Sequence, residues 1–224
     1  MLEKPHDCID CPMRELGKGF VKPEGKPNFG VAIFGEKAGF HEISEELPLR
    51  PNSEAGSLMT YVVGKHMRQD REDFLWDLAV KCRPIGDVIE GTKYERDVVT
   101  NCNVYNRRSL ANPEVKVTLA LGAVAFRALT GVEGKKRDIR NARGYIYKGE
   151  HGLVIPTLEP GYLRRGKTQY TSVLIHDLRK AMMVADGKFT SYSEHSSFKW
   201  PEFVMDGKGD ALVSFYYRMK ENSE

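Results

Sequence analysis

With 224 residues, 41% apolar and 29% charged, the chain has material for one large domain or two small ones around a buried core. No apolar run reaches the length of a membrane helix, so no membrane partner is expected. The opening "MLEKPHD" is too charged for a secretory leader, which makes the cytoplasm the expected compartment. The net charge of +3 excludes little by itself, but "GKKRDIRNAR" (134–143) carries five basic residues against one acid and "YLRRGK" (162–167) adds three more, a distribution that suits a phosphate-binding face.

In chain order, "FGVAIFG" (29–35) is a short apolar run closed by glycine and predicts a buried strand, followed by an irregular polar loop over 36–52. Leu58, Tyr61 and Val62 form a helical stripe within 53–70. "FLWDLAVKC" (74–82) predicts a second strand and 83–94 a loop. The next segment, 94–110, places Val98, Cys102, Tyr105 and Ser109 on one helical face. "EVKVTLALG" (114–122) predicts a third strand, and "AVAFRALTG" (123–131) a short helix with a glycine stop. A fourth strand, "GLVIPTLEPG" (152–161), runs into a turn, and 172–187 predicts a closing amphipathic helix. Strands alternating with helices imply an α/β fold, a mostly parallel four-stranded sheet covered on both faces. The loops that follow the strands then gather at its carboxyl edge, where a site is expected. Residues 1–187 are expected to form the domain, and 188–224 a polar, aromatic extension or tail.

Disulfides are rare in the cytoplasm, so the four cysteines suggest metal or redox chemistry. Cys8 and Cys11 form C-x2-C, Cys82 ends the second strand, and Cys102 lies on the following helix. A strand end and the next helix are spatial neighbours, so one shared centre is allowed. Thiolates suit a [4Fe-4S] cluster or zinc. Zinc sites more often show two short knuckles, whereas nineteen residues separate the second pair here.

Taken together these stretches resemble the iron–sulfur uracil-DNA glycosylases, family 4 of the uracil-DNA glycosylase superfamily. The resemblance spans about residues 5–186. "VKCRP" (80–84) is similar to that family's "VVKCRPP", "GEKAG" (35–39) to its "GEAPG", and "EAGSLM" (54–59) to its "GxAGxLL". "VTLALGAVAFRALTG" (117–131) is similar to the "LGxxA" unit, and "PTLEPGYLRR" (156–165) to the "TxHPSxLLR" loop. The resemblance implies a three-layer α/β/α sandwich, a [4Fe-4S] cluster on Cys8, Cys11, Cys82 and Cys102 (zinc being the alternative), and DNA, single- or double-stranded, as partner. It implies hydrolysis of an N-glycosidic bond, with release of uracil or a modified base.

Such chemistry extrudes the base into a pocket, meets the charge that develops on it, and delivers water to the sugar. The matched pocket positions depart from the family. Its histidine becomes Glu159, its uracil-reading asparagine becomes Leu78, and its stacking phenylalanine falls on Pro51 or nearby. The residues expected to serve the pocket are Glu36, Glu159 and His41, with Glu36 as a loop-amide cap in the competing reading. Lys37, Tyr162, Leu163, Arg164, Arg165 and Lys167 are expected on DNA, with Tyr162 or Leu163 as a minor-groove wedge; otherwise Leu163 packs inward. The alternative function is a catalytically degenerate glycosylase-fold protein that binds DNA as a replication or repair accessory, with a replication or repair protein as partner. A redox protein using its cluster is a more distant alternative.

Overall fold

The computed structural model describes residues 4–132 and 138–188. The expected extension (188–224) lies outside them except for Lys188, as do four residues of the basic run, Gly134, Lys135, Lys136 and Arg137. The elements are α1 (Met13–Leu16), β1 (Val31–Lys37), α2 (Phe40–Glu45), α3 (Glu54–Tyr61), β2 (Leu75–Val80), α4 (Glu95–Leu110), β3 (Val117–Leu121), α5 (Ala123–Thr130), α6 (Ile139–Ala142), β4 (Tyr147–Gly149), β5 (Gly152–Thr157), α7 (Pro160–Arg164) and α8 (Thr171–Ala185). The sheet order is β2-β1-β3-β5-β4. Its first four strands are mutually parallel, and β4 pairs antiparallel with β5.

Alternation along each strand sorts side chains into two cores, because successive residues of a strand point to opposite faces. Ala32 and Phe34 of β1, Ala120 of β3 and Val154 of β5 face the α4–α5 layer. Val31, Ile33, Trp76, Leu78, Val117, Leu119 and Ile155 face the layer of α3 and α8. The fold is the expected three-layer α/β sandwich. The N-terminal segment runs back along the free edge of β2: Lys18 and Arg83 exchange backbone hydrogen bonds, as do Glu24 and Trp76, and the Val21 N–H donates to Lys81 O at 2.8 Å.

The fifth strand, β4, was not foreseen. Its three residues are at most half-buried and carry no apolar run, so only the hairpin with β5 defines it. β1 also extends two residues past the expected end, because Lys37 still pairs with Val80; Glu36 and Lys37 therefore belong to a strand end rather than a loop. The stripe of 53–70 divides into α3, capped by Ser53, and a wider π turn over Val62–Met67. The start of α3 lies so close to the preceding loop that a Cβ on Gly56 would stand 1.9 Å from the Arg50 carbonyl oxygen.

A buried polar knot fixes the carboxyl end of β5. Asp177 of α8, with no solvent exposure, accepts from Arg143 Nε at 3.0 Å, from its terminal nitrogen at 2.7 Å and from the Thr157 hydroxyl at 2.7 Å. Removing the carboxylate would leave the guanidinium and hydroxyl without their acceptor. Asp177→Ala is expected to destabilise the chain by about 3 kcal/mol in urea unfolding, well above the cost of an exposed aspartate.

Candidate functional site

The chain leaves β1 toward β2 on one side, and toward β3 it returns on the other, so the connections at their carboxyl ends diverge. Open α/β sheets form their ligand crevice at this kind of switch point. Here it is a cleft of about 540 Å³. Glu36, near the end of β1, sits on its floor and accepts from the Val124 N–H at 3.1 Å, at the first turn of α5. Gly122, between β3 and α5, has φ +87°, and a Cβ there would lie 2.3 Å from Glu36 Oε1. Glycine at that position is what lets the carboxyl reach the helix start.

Burial pushes the Glu36 carboxyl up to about 8, helped by the negative charges of Glu159 and Glu90; the Val124 N–H and Lys37 pull the other way. Glu36 thus accepts an amide as a cap would and lines the cleft at the same time.

Glu159 also borders the cleft, but its carboxylate is already engaged as the N-cap of α7. It accepts from Gly161 N–H at 2.8 Å and from Tyr162 N–H. His41 lines the cleft from α2, its ring edge-on to Phe40 at 5.5 Å. Lys37 pairs with Asp87 at 3.4 Å, and Arg83 clasps the same carboxylate, so Lys37 is turned into the loop that follows β2. Leu78 is fully buried in the core beneath Gly35 and makes no part of the cleft wall.

The segment likened to the "TxHPSxLLR" loop (156–165) holds the end of β5 and then the short helix α7. That overturns one wedge candidate: Leu163 has no exposure and packs into the α3–α8 core, since the helical turn points it inward. Tyr162 is 44% exposed. Arg164 and Lys167 are exposed, and Arg165 reaches Glu54 at 3.4 Å and Glu159 at 3.7 Å. A second cleft of about 590 Å³ shares Glu36, Glu90, Glu159 and Arg165 with the first and is bordered by Arg140 and Tyr162.

All four cysteines are buried, free and members of one core cluster with Phe20, Val98 and Tyr105. The strap of residues 18–24 along β2 brings the N-terminus to this place, and α4 brings Cys102. Burial pushes Cys11 upward, Cys82 to about 11 and Cys102 to about 12; each also feels other thiols of the set, Cys8 on Cys11, Cys11 and Cys8 on Cys82, Cys82 and Cys11 on Cys102. Lys4 opposes this at Cys11 and Cys82, its ammonium held by the carbonyls of Met13, Arg14 and Gly17. Among the described residues no three His, Cys, Asp or Glu side chains converge tightly enough for a single metal ion. Four thiols in one apolar core cluster, with the Lys4 ammonium acting on Cys11 and Cys82, are soft donors of the kind that an iron–sulfur cluster takes.

Among the cleft residues that escaped the reading of the sequence, Phe40 and Glu90 stand out. Phe40 is 63% exposed at the cleft, and Glu90 borders both cavities. The only signal for Phe40 was an aromatic placed directly after the Gly39 turn.

No family model matches the chain. It is similar to two curated relatives, both named Type-4 uracil-DNA glycosylase. The one from Sulfurisphaera tokodaii is 26% identical over 163 residues, 70% of this chain and 71% of the relative. The one from Saccharolobus solfataricus is 27% identical over 159 residues, covering 68% and 70%.

Because Glu36 has its folded value raised above the ordinary 4.5 to about 8, the folded chain holds a proton that the unfolded chain has lost across that interval. Its contribution to stability is therefore greatest below the unfolded value, falls as pH rises, and levels off above the folded one. Glu36→Gln is expected to flatten this decline, so that the variant gains on the wild type between about pH 5 and about pH 8 in urea titrations.

Proposed function

We propose that the chain belongs to the uracil-DNA glycosylase superfamily, of the type-4 kind, and excises a base from DNA by hydrolysing its N-glycosidic bond. The observation that carries this is a cleft at the switch point of the sheet, floored by Glu36, in a fold whose four cysteines gather in one buried set. The similarity to two proteins named Type-4 uracil-DNA glycosylase supports it. Cys8, Cys11, Cys82 and Cys102 would hold a [4Fe-4S] cluster. Its role there would be structural, since a group held by these four cysteines would tie the N-terminal segment to the end of β2 and to α4.

In this reading the extruded nucleotide enters the cleft, Glu36 faces the reacting sugar or base, and His41 borders the same space. Tyr162 is the wedge that remains after Leu163 is removed from consideration, and Arg164 and Lys167 meet phosphates on the same side. The second cleft, between Arg140 and Tyr162, gives the flanking strand a groove. A specific observation favours the accessory reading as a rival: Glu159 and Lys37, at family pocket positions, are committed to the α7 cap and to Asp87.

Protein purified without oxygen is expected to carry about four irons and four sulfides per chain, and Cys102→Ser to lose them together with thermal stability. One zinc and no sulfide would replace the cluster by the alternative metal. Abasic-site formation on oligonucleotides bearing uracil or modified bases tests excision, with a loss of about 100-fold expected for Glu36→Ala. Salt-dependent DNA binding without release of any base would leave the accessory reading. In either case Arg164→Ala and Lys167→Ala should each lower the salt slope of binding by about one unit.

A further inference from the structure

The buried face of α4 that carries Cys102 also carries Tyr105, and Arg108 follows three residues on. Tyr105 is buried, and its hydroxyl oxygen lies 3.6 Å from Cys8 Sγ, in a contact between residues 97 apart in the chain. Arg108 pairs at 2.8 Å with Asp7, the neighbour of Cys8, and its guanidinium lies 5.4 Å from the centre of the Tyr105 ring. Phe20, in the strap along β2, meets the same ring edge-on at 5.0 Å. These contacts hold the ring in place, and with it the position of the hydroxyl.

Between a free thiol and a phenol, either group can donate. A cysteine that ligates iron has given up its proton, so on the cluster reading the hydroxyl is the donor and the sulfur the acceptor. The contact is then a charge-assisted hydrogen bond onto a ligand sulfur. Such a bond draws electron density from the sulfur and favours the reduced cluster, which carries one more negative charge. Packing alone does not call for the hydroxyl: a phenylalanine would fill the same space without the cost of burying a polar group.

We infer, resting on the cluster reading above, that Tyr105 is a positioning residue for the thiol set. Its hydroxyl donates to the Cys8 sulfur, fixes that ligand and raises the reduction potential of the cluster. Arg108 assists by holding Asp7, and so the turn that presents Cys8, against α4. One helix thus supplies a ligand in Cys102, a hydrogen bond to a second ligand through Tyr105, and a clasp on the N-terminal segment through Arg108.

The test uses the full chain purified without oxygen, as wild type and as Tyr105→Phe, which keeps the ring and deletes the donor. Iron and sulfide are assayed, and the cluster is titrated against potential by electron paramagnetic resonance. Both proteins should carry the same iron and sulfide. At a fixed potential the reduced-to-oxidised ratio should be about tenfold lower in Tyr105→Phe, a shift of about 59 mV for one electron. Iron should pass to a chelator about tenfold faster from the variant. In resonance Raman spectra the iron–sulfur stretching bands of the wild type should shift in heavy water, since the donated proton exchanges. A loaded variant with an unchanged ratio overturns the inference and leaves the cluster standing. Wild-type bands indifferent to heavy water overturn it too, and they decide the matter where the variant holds no cluster. Wild-type protein without iron and sulfide overturns the cluster reading, and this inference with it.

Discussion

The position of β1 governs the rest of the molecule. It is hydrogen-bonded on both sides, to β2 and to β3, and both pairings are parallel. Parallel neighbours need crossovers over the faces of the sheet, so helices must cover both sides and the loops must part at the carboxyl end of β1. The cleft is the space left by that parting. Glu36 stands there because β1 runs two residues beyond its apolar stretch, and Gly122 on the neighbouring strand end leaves room for its carboxyl.

The cysteine set depends on the other edge of the same arrangement. β2 is an edge strand, and its free side accepts the N-terminal segment through the Lys18–Arg83 and Glu24–Trp76 pairings. These bonds bring Cys8 and Cys11 toward Cys82, which lies two residues past β2. The helix that follows, α4, packs back over β2 and delivers Cys102 from its buried face. Cleft and thiol set therefore share one structural cause, the pair β1–β2, with the loop between Val80 and Glu90 running from one to the other. Asp87, which holds Lys37 and Arg83, belongs to that loop.

The charge pattern of the cleft follows from capping as much as from chemistry. Glu42 accepts from Gly39 and Arg50 amides, Glu159 caps α7, and Glu36 takes an amide of α5. Each carboxyl is stabilised by backbone N–H groups that point toward the carboxyl edge of the sheet, because helices following parallel strands begin there. A cleft formed from such helix starts collects acids.

Short apolar runs were enough to locate the strands β1, β2, β3 and β5, which are buried on both faces, and apolar stripes or glycine stops to locate the helices α3, α4, α5 and α8. The C-x2-C, the cysteine after β2 and the one on α4 were equally legible, since strand end and next helix are neighbours in any such fold. β4 and α6 were not, being three and four residues long with no apolar stripe of their own. The fate of individual side chains was decided only by packing. Leu163 and Tyr162 are adjacent in a sequence that suits a wedge, yet the turn of α7 buries one and exposes the other. Whether Glu159 is a cap or a contact, and which carboxyls meet across the cleft, depends on helix starts contributed by segments more than a hundred residues apart in some cases, as with Glu54 and Arg165. No local pattern carries that information, because it arises from the order in which the strands lie in the sheet.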